Sequence, residues 1–245
     1  MSTTLLQAVT EFSGKQALPI PATVFGTTDP GVVQIMRLLE EECIDLSSRD
    51  RVQVLTKEMS FTSLAAEVQG TISGGLGSGP TQFSGYRYML TRTFWNRTQL
   101  IPVIGANNPR EYQWLKALNI TGPYSSYRWM GDQLRLIPAP PAGHTLVFEY
   151  VSKFWMTAAA GATPGSRFTA DGDTILLPED VIAIGLKWRW LKTKGQPYAE
   201  DFDRYEEMVA DMLTRDEAQP VLDMSKPNPT MNTPRAGIVI PNPIG

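Results

Sequence analysis

Apolar side chains recur every three or four residues near both ends of the chain, which is the spacing of one face of an α-helix. The clearest stripe follows Asp29-Pro30, a capping residue and a first-turn proline, and it contains Val32, Ile35, Met36, Leu39, Cys43 and Leu46. Similar stripes begin near Leu5, after Pro178 and after Pro197. The pattern therefore predicts helices over residues 3–12, 29–48, 178–195 and 197–216.

Between Val52 and Trp155 the period shifts toward two, as in β-strands. A hairpin is predicted around Gly131-Asp132, and the segment TLVFEYVSKFW predicts a third strand that completes an antiparallel meander. A short helix is predicted after Asn108-Pro109. The glycine-rich stretch over residues 70–85 predicts a long mobile loop.

These elements predict an α+β fold with a helical bundle, an inserted lobe and an arm. The bundle is built from N- and C-terminal helices over residues 1–51 and 174–219. The inserted antiparallel β-rich lobe covers residues 52–173. Residues 220–245 form an extended proline-rich C-terminal arm.

The composition of residues 220–245 differs from that of the rest of the chain. This segment has six prolines and no aromatic residue, so it cannot form a core of its own. A disordered tail is one interpretation. The other is a partner-binding arm anchored by the apolar triplet Ile238, Val239 and Ile240, which is suited to a sheet edge or groove of another chain.

Charge and rare residues exclude several kinds of site. With 22 basic and 25 acidic residues the net charge is −3, which argues against an electrostatic nucleic-acid binder. The single Cys43 and the single His144 exclude intrachain disulfides and metal sites that need two imidazoles. We find no secretory signal and no apolar run of the ~20 residues that a bilayer span needs. We therefore expect no membrane association and synthesis in a cytoplasm.

The remaining candidate sites each have a simpler structural interpretation. The glycine run 74–79 lacks a phosphate-loop lysine, and Asp171-Gly-Asp173 lacks the other ligands of a calcium loop. His144 fits a turn, and Cys43 fits the apolar stripe. The acidic face of the last helix fits a solvated or subunit-facing surface. We therefore predict no catalytic, cofactor-binding or metal-binding residue.

Two clusters mix aromatic and basic residues, YRYMLTRTFWNR and KWRWLK, as single-strand nucleic-acid sites do. In the second cluster Trp188 lies on the predicted buried stripe. Together with the acidic net charge, this position argues against specific binding of nucleic acid.

Two long segments carry a resemblance to a known family. They are YRWMGDQLRLIPAPPAGHTLVFEYVSKFWM and TILLPEDVIAIGLKWRWLKTKGQPYAEDFDRYEEMVADML. In them a strand pair is followed by a Leu-Pro-Glu-Asp helix start and a Tyr/Phe-striped acidic helix. This pattern resembles the head-to-tail adaptor (connector) proteins of tailed bacteriophages, especially the tail tubular protein A group of short-tailed phages. The resemblance extends over roughly residues 3–218.

The resemblance implies a non-enzymatic virion structural protein. Such adaptors form a ring, usually of twelve copies, between the portal protein and the tail nozzle or tail tube. The implied partners are therefore the portal, the nozzle or tube protein and further copies of the chain. DNA would pass through the ring without specific binding, and mild acidity suits such a channel because like charge repels phosphate.

Other functions stay open at this point. The chain could be another virion component, such as a tail-tube or head-completion protein. A small hydrolase that uses carboxylate pairs and a host-side binding module are further alternatives.

Overall fold

The structure is a computed structural model, and it describes residues 3–49, 52–78, 85–105, 107–118, 121–160 and 163–216. The described residues form five α-helices: α1 (Leu5–Lys15), α2 (Pro30–Ser48), α3 (Pro109–Leu118), α4 (Glu179–Thr193) and α5 (Ala199–Asp216). A 3-10 turn covers Gln53–Leu55.

Thirteen strands accompany these helices in the described residues. They are β1 (Thr3–Thr4), β2 (Thr56–Thr62), β3 (Val68–Thr71), β4 (Gly75–Leu76), β5 (Tyr86–Met89), β6 (Trp95–Asn96), β7 (Ile101–Pro102), β8 (Ser126–Met130), β9 (Gln133–Ile137), β10 (Thr145–Ser152), β11 (Met156–Thr157), β12 (Pro164–Gly165) and β13 (Thr174–Ile175).

The helices lie where the apolar stripes predicted them, and local side chains explain their ends. Thr4 and Gln7 form a reciprocal capping box at the start of α1. The Asp29 side chain accepts a hydrogen bond from the Gly31 amide at the start of α2. Gly195 has a φ of 68°, which lets the chain turn from α4 into α5.

The strands form three antiparallel sheets. The first has the order β1-β13-β11-β12 and joins the N-terminal residues to the segment before α4. The second has the order β2-β10-β6-β7, and β5 also pairs with β10. The third has the order β4-β3-β9-β8.

The predicted fold class, a helical bundle with an inserted β-rich lobe, is wrong. The described residues contain thirteen strands in three sheets, which is more sheet than a helical bundle with one inserted lobe would have. The first of these sheets lies among the helices. The buried Ile175 of β13 and Met156 of β11 belong to the same apolar core as α1, α2 and α4. Strands of two residues show no alternation of polar and apolar positions, so the sequence pattern did not reveal this sheet. The domain boundaries stay a prediction.

The predicted meander is also wrong. The β8–β9 hairpin forms as expected, with Trp129 opposite Leu134. However, β9 continues its sheet with β3, while β10 pairs with β2, β5 and β6. Chain neighbours often pair, but the connection through residues 138–144 carries β10 into a different sheet.

Part of the predicted glycine-rich loop is a hairpin. Gly70 pairs with Leu76 and Thr71 with Gly75, and Leu76 is completely buried. A side chain at Gly77 would collide with the Thr62 carbonyl, which explains a glycine at this close approach. Residues 79–84 of the predicted loop lie outside the described residues.

Two apolar cores hold the helices and the sheets together. The first contains residues of α1, α2, α4 and α5 together with Val151, Trp155 and Phe168. The second lies between the second and third sheets and is rich in aromatic rings. In it, the rings of Phe61, Phe94, Tyr127 and Phe148 meet at centroid distances of 5.2–6.4 Å.

None of the helices in the described part of the chain combines the length and apolar character needed to cross a bilayer.

Candidate functional site

The candidate calcium-loop residues Asp171 and Asp173 accept hydrogen bonds from backbone amides of the chain. Asp173 is buried and accepts hydrogen bonds from the amides of Ala159, Thr169 and Ala170 and from the Thr169 hydroxyl. Burial acts to raise the pKa of Asp173, but these donors outweigh it and hold the pKa below its usual value. Asp171 accepts from the amides of Val24 and Phe25. Among the described residues, no cluster of three His, Cys, Asp or Glu side chains could hold a metal.

The single histidine and cysteine do not form a site together. His144 is half-buried at the entrance to β10, and its Nδ1 lies 3.1 Å from the Asn96 side-chain nitrogen. Cys43 is completely buried in the first core, and burial raises the pKa of its thiol. The interpretation of Cys43 as a small apolar residue of the stripe is confirmed.

A polar seam of charged side chains connects α2 to α4. The Arg189 guanidinium binds Glu42 at 2.5 Å, Glu41 at 3.0 Å and Asp45 at 3.2 Å. Glu42 is completely buried, and burial raises the pKa of its carboxyl despite the opposing effect of Arg189. The seam fixes the packing of the helices, because a buried carboxylate that lost its partner would be strongly destabilising.

Tyr205 of α5 adds a phenol to this seam. Its buried hydroxyl interacts with the buried Glu42 carboxyl, although the two groups do not form a hydrogen bond of ordinary geometry. Burial and the neighbouring Glu42 charge raise the pKa of Tyr205. The phenol therefore stays protonated, and nothing in this geometry prepares it for acid–base chemistry at neutral pH.

The acidic face of α5 is partly satisfied within the chain. Glu206 receives two hydrogen bonds from Arg49, at 2.7 and 3.1 Å, and Asp201 receives one from Lys187 at 2.6 Å. Glu200, Asp203 and Glu207 are exposed. The face thus combines helix-to-helix ion pairs with solvated carboxylates.

The aromatic–basic cluster of α4 is part of the core. Trp188 and Trp190 are both buried, and the Trp188 ring packs edge-on against Phe202 at 5.1 Å. Lys194 lies over the Trp190 ring at 4.2 Å. The indoles are therefore not available for stacking on nucleotide bases.

A cleft lies between α1 and the first half of α4. It is a shallow cleft, open to solvent, with a cavity volume of about 40 Å³. Its walls and floor are apolar and its rim is polar; the lining residues are Thr3, Ala8, Glu11, Phe12, Lys15, Ile175, Glu179, Ile182, Ala183 and Leu186. We call this the α1–α4 cleft. At its rim the Thr3 hydroxyl donates a hydrogen bond to the Glu179 carboxylate at 2.6 Å. Most of its lining is apolar, which suits an apolar side chain.

Four large apolar side chains that lie on α3 or close to it in the chain are exposed. Ile104, Trp114, Leu118 and Tyr124 are each more than half exposed. Tyr112 is the only buried residue of α3, and its hydroxyl donates to Glu67 at 2.6 Å. Lys116 and Arg135 also bind Glu67, so α3 is fixed to the third sheet. We call this the α3 patch.

Sequence reasoning did not identify either surface. Trp114 and Leu118 are four residues apart, which places them on one helix face. That spacing could have indicated the α3 patch, but not whether its face is buried. The predicted site residues Ile238, Val239 and Ile240 lie outside the described residues.

Comparison with models of protein families and with curated proteins finds no match for this chain.

Proposed function

We propose that the protein is a non-enzymatic structural protein of a phage virion. In this proposal it forms a ring adaptor between the portal and the tail tube or nozzle, and the ring provides a channel for DNA. The proposal rests first on the resemblance of residues 127–156 and 174–213 to head-to-tail adaptors.

The α3 patch is the observation that carries a role in assembly. Single exposed apolar residues are ordinary, but two aromatic and two aliphatic side chains exposed around one short helix are typical of a protein-binding surface. Tryptophan and tyrosine also dominate the binding energy of many interfaces. Because Glu67 fixes α3 in place, the patch is preorganised for a partner.

The C-terminal segment supplies a second element of the proposal. Its prolines at 220, 227, 229, 234, 241 and 243 favour an extended strap, which lowers the entropy lost on docking. Such an arm would engage a neighbouring copy or the portal. The acidic net charge suits a channel wall that DNA passes without binding.

The experiment that tests this function is a mass measurement on the purified protein, alone and mixed with purified portal, by light scattering. We expect a monomer or weak oligomer alone and a discrete ring on the portal. Persistence of monomers with every portal concentration would contradict the adaptor role. Labelling of the protein in purified particles would distinguish the neck from the tail tube, and thus an adaptor from another virion component.

A further inference from the structure

The α1–α4 cleft has the size and character of a site for an aliphatic side chain. Ala8 of α1 and Ala183 of α4 both line it, and their small side chains leave the space open between the helices. Phe12, Ile182 and Leu186 are buried beside them, so the walls are rigid parts of the first core. A branched aliphatic side chain entering this cleft would leave water and contact carbon atoms on several sides.

The chain itself contains a matching segment. Ile238, Val239 and Ile240 are three consecutive β-branched residues between Gly237 and Pro241. Arg235 is the only charged side chain between residues 227 and 245. The rim of the cleft carries the carboxylates of Glu11 and Glu179 against one ammonium, Lys15. The charge of the rim is therefore complementary to the residue that precedes the triplet.

The length of the chain after α5 determines which clefts the triplet can reach. After the turn at Gly195, α5 runs back along α4, with Phe202 and Tyr205 against Trp188. The end of α5 therefore lies toward the half of α4 that carries the cleft, within about two helix spacings or ~20 Å. Residues 217–237 separate that end from the triplet, and in polyproline form they span ~65 Å. This reach exceeds the distance to the subunit's own cleft, so the segment is long enough to reach the cleft of a neighbour as well.

From these observations we infer that the α1–α4 cleft of one subunit binds the Ile238–Ile240 triplet of a neighbouring copy of the chain. This inference rests on the proposed ring and names the contact that links its subunits. The arm of each subunit enters the next subunit, so the contact is head-to-tail and closes when the ring is complete.

Disulfide trapping in the full-length protein tests the inference. One preparation carries Ala183→Cys and a second, of different tag mass, carries Val239→Cys. Cys43 is completely buried and does not interfere. The control pairs Val239→Cys with Ala210→Cys, which places the thiol on an exposed position of α5. After mixing, assembly on the portal and mild oxidation, we expect at least about tenfold more cross-linked heterodimer with Ala183→Cys than with the control.

A groove-filling variant provides an independent measurement. Ala183→Phe fills the cleft, whereas Ala210→Phe adds the same ring to an exposed helix position. We expect Ala183→Phe to weaken subunit assembly about tenfold or more, since the triplet loses its site, and Ala210→Phe to leave assembly unchanged.

The outcomes separate the inference from the function on which it rests. Rings that form on the portal without preferential cross-linking of Ala183→Cys overturn the cleft assignment and leave the adaptor role intact. A third preparation carries Ala183→Cys and Val239→Cys in one chain, and a bridge that forms only within that chain overturns the assignment to a neighbouring copy. If no ring forms on the portal, the proposed function fails, and the inference fails with it.

Discussion

Gly185 is a helix residue that cannot gain a side chain, because the buried Glu42 carboxylate lies against its Cα. An added Cβ would overlap the Glu42 carboxyl group, whereas a Cβ at Gly14 of α1 would meet nothing within 4 Å. We therefore expect Gly185→Ala to displace Glu42 from Arg189 and to lower the free energy of unfolding by ~1–3 kcal/mol. Gly14→Ala should raise it by ~0.5–1 kcal/mol through helix propensity. Urea unfolding of both variants measures the difference, and an equal gain for both would contradict the packing of the seam.

Asp173 provides a residue-scale test by pH. Its pKa in the folded chain is below the ordinary value of 3.8, so it stabilises the fold above pH 3.8 and loses this contribution as pH falls through the lower, folded value. Asp173→Asn should lower the free energy of unfolding at pH 7 by ~1–3 kcal/mol, because an amide cannot accept from all four donors. The difference in the free energy of unfolding between the native protein and the variant should become smaller below about pH 3.8. The exposed Asp203→Asn is the control, and a gap independent of pH would argue against a charged Asp173.

At the scale of elements, the β3–β4 hairpin distinguishes an ordered glycine-rich segment from a mobile one. Leu76 is completely buried in the second core, so Leu76→Ala should lower the free energy of unfolding by ~2–5 kcal/mol. Ser78→Ala, at an exposed position two residues later, should change it by less than ~0.5 kcal/mol. Thermal unfolding measures both. If Leu76→Ala lowered the free energy of unfolding no more than Ser78→Ala, the hairpin would not be part of the core.

Elements with a long periodic pattern were predictable from the sequence, and short elements were not. The stripe from Val32 to Leu46 predicted α2 nearly to its ends, since four turns of helix repeat one signal. The strands β11, β12 and β13 have two residues each, and only their tertiary partners define them. The α1–α4 cleft was hidden for a similar reason, because Ala8 and Ala183 meet only after α1 and α4 pack together.

At the scale of the whole molecule, the described residues, which end at position 216, already form two extensive apolar cores. Deletion of residues 220–245 should therefore leave the circular dichroism spectrum and the melting temperature unchanged. The same deletion should abolish ring formation or attachment to the portal, because it removes the triplet. Light scattering of the truncated and full-length proteins with portal compares the two. If the truncated and full-length proteins assembled equally well, residues 220–245 would have no role in assembly.

Strand β10 belongs to both cores. Leu146, Phe148 and Tyr150 lie in the second core, while Val151 lies in the first. One continuous backbone segment thus connects the helices with the aromatic sheets, and it pairs with three other strands along its length. Unfolding of either core would displace β10 and would thereby destabilise the other core. The protein should consequently melt in a single cooperative transition, and a pull exerted on the sheets would be transmitted directly to the helices.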